Sequence, residues 1–173
     1  MQQNLHHTIA ILTRTPAVLN TLLRDLTRDW LSANEGENTW SPIDVLGHLI
    51  HGERTDWMPR VKTILQSGTT NTFQAFDREG FAGPADISSR LDEFARLRSE
   101  NLAEIRALNL TPAQFERRGR HPTLGEVTLD QLLAAWVVHD LTHLNQISRV
   151  MAHQYREAVG PWHQYLGVLN RRK

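Results

Sequence analysis

The chain has 173 residues, 40% of them apolar, and nineteen Lys and Arg set against nineteen Asp and Glu leave a formal charge of zero. That is the length of one domain with enough apolar material for several packed helices, and without a basic stripe nucleic-acid binding is not expected. Cysteine is absent, which removes disulfides, thiolate metal sites and a cysteine nucleophile together, so any metal must be held by His, Asp or Glu.

The opening MQQNLHHTIAIL lacks a basic segment followed by a long apolar run, and no stretch approaches 18 uninterrupted apolar residues, so a cytoplasmic protein without membrane association is expected. From Leu5, apolar residues at Ile9, Leu12, Leu19, Leu22, Leu23, Leu26 and Trp30 keep a three-and-four spacing. This predicts a first helix that Pro16 kinks or restarts, ending at NEGEN. TWSPIDVLGHLIHGE then opens a second helix with Ser41 as N-cap and Pro42 in the first position, running to about Leu65 with a bend at Pro59.

Residues 67–86, SGTTNTFQAFDREGFAGPAD, show turn residues and no helical period. A connection this long is uncommon within a domain and can carry the chain from one end of a bundle to the other. Ile87, Leu91, Phe94, Leu102, Ile105 and Leu108 mark a third helix entered near Asp86 or Ser88. A second long connection, in which HPTLGEVTL can hold a brief turn or hairpin, leads to a fourth helix from about Leu129 to Tyr155. After VGP, WHQYLGVL reads as a short amphipathic helix with Pro161 in its first turn, and RRK as a solvated tail. No set of alternating segments would build a sheet. The prediction is a single all-α domain over residues 1–173 with four principal helices.

Within the fourth helix, VVHDLTHLNQI places His139 and His143 four residues apart. With 100° per residue, Leu129, Leu132, Trp136, Ile147 and Val150 fall within roughly 40° of His143, and so does His139. The pair occupies the middle of an apolar stripe, one turn apart, able to converge on one ion. Nine histidines in the chain make a chance H-x-x-x-H common, but two core imidazoles without partners are costly.

A catalytic metal site needs a third protein ligand and an open position. The candidates are His6, His7, His48, His51, His121, His153 and His163, with Glu53 and Asp140 as oxygen donors. The stripe of the second helix runs through Leu46, Ile50, Trp57, Val61 and Ile64. His48 lies on the flank away from it, and periodicity does not choose between His48 and His51; either also reads as an exposed helical histidine.

WSPIDVLGHLIHGE and HPTLGEVTLDQLLAAWVVHDLTHLNQI resemble the DinB-like superfamily of small metal-binding helical bundles, through W-S-x-x-x-V-x-x-H-L followed by H-D-x-x-H-x-x-Q. The resemblance covers nearly the whole chain, including VGPWHQYL. It implies a four-helix bundle running up, down, down, up, with a long crossover between the second and third helices and a divalent metal held by His48, His139 and His143. It gives His51 no ligand role, leaving it exposed or lining the pocket. Asp140 points about 100° from His139 and is expected behind the ligands, as a structural partner or as a surface charge. Glu53 is expected in a salt bridge or behind the ligands, and Gln146 at the pocket border or in an interhelical hydrogen bond.

Three neutral imidazoles leave an ion its full charge and room for a metal-bound water or thiol as the reacting group. The resemblance implies transferases and isomerases that activate low-molecular-weight thiols such as bacillithiol or mycothiol, attaching them to electrophiles or using them as cofactors, so the leading expectation is S-transfer to small electrophiles. A metal-dependent hydrolase is the second reading: HDLTH resembles H-E-x-x-H with a shorter acid, although Gln146 and Arg149 break the longer metzincin pattern. A non-catalytic, metal-stabilised binding protein is the third. Zinc is expected slightly ahead of nickel, the partner is a small-molecule substrate, and a homodimer is compatible with the resemblance.

Overall fold

The computed structural model describes residues 4–81 and 86–170. The terminal RRK and residues 82–85 of the crossover lie outside the described residues. The first predicted helix is three: α1 (Leu5–Leu12), α2 (Thr15–Leu23) and α3 (Arg28–Ser32). Asn4 caps α1 by accepting from the His6 amide, and Pro16 sits in the first turn of α2, so it restarts the helix. Asp25, at φ 64°, turns the chain between α2 and α3.

The second helix is also divided, into α4 (Pro42–Thr55) and α5 (Trp57–Ser67). Ser41 and Asp44 form a reciprocal capping box at the start of α4. The break falls at Asp56 and not at Pro59 itself. A proline lacks the N–H that would reach back to residue i−4, here Thr55, and its ring clashes there, so the helix breaks before it. α6 (Ile87–Ala107) is entered through Asp86, whose side chain accepts from the Ser89 amide. A short α7 (Pro112–Phe115) precedes a hairpin, β1 (Arg118–His121) paired antiparallel with β2 (Gly125–Thr128). α8 (Leu129–His153) follows directly, capped by Thr128 and Gln131. The closing amphipathic piece forms two 3₁₀ turns, Gly160–Tyr165 and Gly167–Leu169.

Cross-helix pairs fix the directions. Arg90 bonds the Ile43 carbonyl, Arg98 meets Glu53 and Lys62 meets Glu104, so α4–α5 and α6 run parallel. Trp136 reaches Glu53 while His139 faces His48, so α8 is antiparallel to α4. Arg98 bonds the Leu12 carbonyl and Arg24 meets Asp92, so the first strand of helices opposes α6. The result is the four-helix bundle running up, down, down, up, and a parallel middle pair is why the 68–86 crossover must be long.

The hairpin is tied into the bundle by the first part of the crossover. The Phe73 amide donates to the Arg120 carbonyl at 2.8 Å, and Thr72 bridges Arg120. Gly119 has to be glycine there, because a Cβ would stand 2.6 Å from the Phe73 ring. The apolar core is in two parts. One gathers Leu12, Trp57, Val61, Phe73, Leu102 and Trp136; the other gathers Leu19, Leu46, Ile50, Leu91, Phe94 and Ile147. Between them, at the waist, lie charged groups and imidazoles. Among the described residues no helix is long and apolar enough to cross a membrane.

Candidate metal centre

At the waist, α4 contributes His48 and α8 contributes His139 and His143. The Nε2 atoms of His48 and His139 are 3.1 Å apart and those of His143 and His139 are 3.2 Å apart. A tetrahedral ion with bonds of ~2.0–2.1 Å separates its nitrogen ligands by ~3.3 Å. Two of the three edges therefore stand at the spacing of a coordination face, and the three ligand atoms all lie within 4.8 Å of one another.

Two of the rings are oriented from behind. His48 Nδ1 donates to the Arg78 carbonyl at 3.2 Å, and His143 Nδ1 to Gln146 Oε1 at 2.9 Å. Each bond places the proton on Nδ1 and leaves the Nε2 lone pair facing its neighbours. His139 Nδ1 is buried without a hydrogen-bond partner among the described residues.

Burial first, and the neighbouring His143 second, bring His48 down to about 4. Burial and then His143 and His48 bring His139 to about 3. His143 is also lowered, by burial, against the opposing pull of its Gln146 bond and of Asp140. All three are neutral at pH 7, as ligands must be.

The donor set fits a divalent ion. With the His48 and His143 protons on Nδ1, a single proton on His139 Nε2 is all that the two close contacts can share, and His139 Nδ1 has no partner among the described residues; a cation would take up all three Nε2 lone pairs at once. Among the described residues no other group of His, Asp or Glu is arranged to hold a metal ion.

Behind the triad lies an ion cluster. Arg98, 1% exposed, donates from Nη1 and Nη2 to Asp140 at 2.6 and 3.0 Å and from Nη2 to Glu53 at 2.8 Å. Glu53 also accepts from Trp136 Nε1 at 3.0 Å and Asn101 Nδ2 at 3.0 Å. Burial alone would lower the Arg98 pKa, but the two carboxylates raise it and keep it charged. One cation facing two anions leaves a surplus negative charge, close enough to His143 for Asp140 to raise its pKa.

His48 is buried, and neither it nor His51 is an exposed helical histidine. His51 lies beside the triad, its ring 5.1 Å from Phe76 and its Nε2 3.4 Å from Thr55 Oγ1. Glu53 forms the salt bridge. Asp140 is a structural partner and not a surface charge, because α8 is packed by α1 on one flank and by α4 and α5 on the other. Gln146 bonds within its own helix, to His143, and not across helices. His121 lines the cleft described next, and none of the other histidines considered joins the triad.

The triad opens into a cleft of about 530 Å³ whose walls include Trp40, Asp56, Trp57, Arg60, Phe76 and His121. The crossover folds over its mouth: the His48 ring meets Phe76 at 5.3 Å and Trp40 at 4.7 Å, and Trp40 meets Phe81 at 5.6 Å. Gly47 admits that cover, since a Cβ would lie 2.8 Å from Phe81. Sequence reasoning assigned no role to Arg98, Asp56, Arg60 or the Arg78 carbonyl.

Comparison with known proteins gives the family and the fold. Residues 11–147 match the DinB superfamily, and the chain belongs to it. In fold it is similar to YfiT from Bacillus subtilis, described as a probable metal-dependent hydrolase with an unusual four-helix bundle topology. That match has TM-score 0.75 and 24% identity over 86% of both chains. It is also similar to TT2238, a four-helix bundle protein, at TM-score 0.54 and 20% identity over 84% of this chain and 98% of the other. No curated protein matches the chain significantly.

Proposed function

We propose that His48, His139 and His143 hold a divalent metal ion, zinc or nickel, and that the protein is an enzyme that activates a low-molecular-weight thiol for S-transfer to small electrophiles. The observation that carries this is the convergence of three neutral Nε2 atoms, spaced at 3.1 and 3.2 Å along the chain of contacts, at the wall of an open cleft. A bound divalent ion supplies Lewis acidity, lowering the pKa of a thiol or water that reaches its open position.

The protein's own share is orientation and exclusion. Arg78 and Gln146 hold two rings in their donor tautomers, and Trp40, Phe76 and Phe81 keep bulk water from the reacting sulfur. The thiol would lose its proton to solvent through the cleft, its sulfur would form a bond to the electrophilic carbon, and the leaving group would depart with the electron pair. A reducing cytoplasm is where such thiols persist, and we place the protein there.

The hydrolase reading has the likeness to YfiT in its favour. Against it stands the state of the acids. Asp140, where a general base would follow the first histidine, is locked with Glu53 onto Arg98. Asp56, which does line the cleft, is paired with Arg60 at 2.6 Å. The ion would lower the pKa of a bound thiol or of bound water alike, so the paired acids count against a hydrolase only where a separate general base is required.

The test starts with metal per chain, by elemental mass spectrometry on protein purified without a histidine tag. About one equivalent is expected in the parent and little in a His139→Ala, His143→Ala variant. The loaded protein is then given bacillithiol, mycothiol or glutathione with a chromogenic electrophile, and in parallel an ester without thiol. Turnover of the ester alone would favour the hydrolase, and a parent that binds no metal would end both readings.

A further inference from the structure

The cleft adjoins a second chamber of about 380 Å³ between the hairpin and α8, and the two share Trp57, Arg60 and His121 as a common wall. The second chamber is largely apolar, lined by Phe73, Val127, Leu132 and Ala135. Its acidic residue, Glu126, is paired with Arg118. The site is thus bipartite, with the triad in one compartment and an apolar hollow in the other.

Arg60 stands at the junction. Its side chain is 12% exposed, its Nη2 meets Asp56 Oδ1 at 2.6 Å, and its guanidinium lies 5.4 Å from the centre of the Phe73 ring. A guanidinium has five N–H donors, and the buried Nε of Arg60 finds no partner among the described residues. Arg60 lines both compartments and its ion pair with Asp56 is made through Nη2, so the guanidinium keeps donors for a second acceptor. The charged residues lining the cleft are Arg60 and Arg78 against Asp56 alone, the imidazoles are neutral, and Glu126 of the hollow is paired with Arg118, so the two compartments together favour an anion.

We propose that the electrophilic substrate of this site is a small organic anion with an apolar tail. Its carboxylate meets Arg60, its tail fills the hollow under the hairpin, and its reacting atom faces the triad. This rests on the reading of the triad as the reacting centre. Arg60 is then the residue that determines specificity, with Asp56 holding its guanidinium in place.

The probes are octanoate, its neutral counterpart octanamide, and butyrate, titrated into the metal-loaded protein with calorimetry and tryptophan fluorescence as readouts. Octanoate is expected to bind at least tenfold more tightly than either of the others. Arg60→Gln should reduce octanoate to the level of octanamide while metal content is unchanged. Should that variant strand Asp56 and unfold early, Asp56→Asn with Arg60→Gln removes both charges and gives the same comparison. Ala135→Trp, at an exposed position of α8, should fill the hollow and bring octanoate down to butyrate.

Equal binding of octanoate and octanamide, or a preference that survives loss of Arg60, overturns the proposal. Metal is measured in the same samples. Protein that holds metal and does not discriminate refutes this inference alone. Protein that discriminates through Arg60 but holds no metal refutes the metal centre and leaves the anion subsite standing.

Discussion

His139 and Asp140 are neighbours on α8 and stand in opposite electrostatic situations. Asp140 faces inward, fully buried, and both of its oxygens accept from Arg98. His139 faces the cleft among two other imidazoles, with one ring nitrogen unpartnered among the described residues and the other against like nitrogens. In the ion cluster every charged group has an opposite partner as the chain folds, with only Arg98 Nε left over among the described residues. In the triad like nitrogens face one another, with no opposite partner among the described residues. Buried polar groups that satisfy one another hold a fold together; buried polar groups that do not are the mark of a site.

The largest effect expected from this contrast is on the cluster. Arg98→Met removes the cation shared by Glu53 and Asp140 and leaves two acids buried at the waist. Breaking a buried pair in this way costs about 3–5 kcal/mol, read as a lower denaturant midpoint by circular dichroism. A variant that also carries Glu53→Gln and Asp140→Leu should recover much of that loss. If Arg98→Met alone is neutral, the cluster does not hold the fold together at the waist.

The triad should behave in the opposite way. Its removal should leave the metal-free fold close to parental stability, while the parent alone gains from metal, by about 4 kcal/mol at a thousandfold excess over Kd. Acid should separate the two proteins as well. His48 and His139 are neutral in the folded chain down to about 4 and about 3, but in the unfolded chain they take up protons near pH 6.5. The unfolded state binds more protons in that window, so the metal-free parent has its full stability above pH 6.5 and loses it as the pH falls toward 4 and then 3. The His139→Ala, His143→Ala variant should show a shallower loss in urea melts at stepped pH.

A smaller effect is expected at Gln146, which touches the triad only through His143 Nδ1. Gln146→Leu should lower metal affinity by about 10–100-fold, the usual size for a group that orients a ligand from behind, with stability of the metal-free protein little changed. Competition with a chromogenic chelator would read this, and an unchanged affinity would mean that packing alone sets the ring.

How much of this was legible beforehand follows from which surfaces each helix buries. α8 announced its pair because two histidines interrupted an apolar stripe. α4 could not choose its ligand, since Val45, Leu46, His48, Leu49, Ile50 and Glu53 are all buried between α6, α8 and the crossover, and a helix enclosed on several sides has no single face to read. Only the resemblance singled out His48. Arg98 did leave a signal, sitting on the stripe of Leu91, Phe94, Leu102 and Ile105 where an apolar residue belongs. Asp56 and Arg60 left none, because an acid four residues before an arginine looks like any solvent-facing helical pair. The crossover was correctly long, but its second role as the lid that supplies Phe76 and the Arg78 carbonyl depends on contacts no local pattern encodes.

The smallest expected effect is the one that tests the ligand assignment on α4. His51 is one turn from His48 on the same helix, yet it rests on Phe76 and Thr55 and is not among the converging nitrogens. His51→Ala should therefore keep the full metal equivalent, with affinity within about twofold and stability within about 1 kcal/mol, while His48→Ala should lose most of the ion. The two variants delete the same side chain from neighbouring turns, so general damage to the helix would lower both alike. If instead His51→Ala empties the site and His48→Ala does not, the α8 pair serves a face other than the one His48 presents, and the cleft would have to be redrawn around His51.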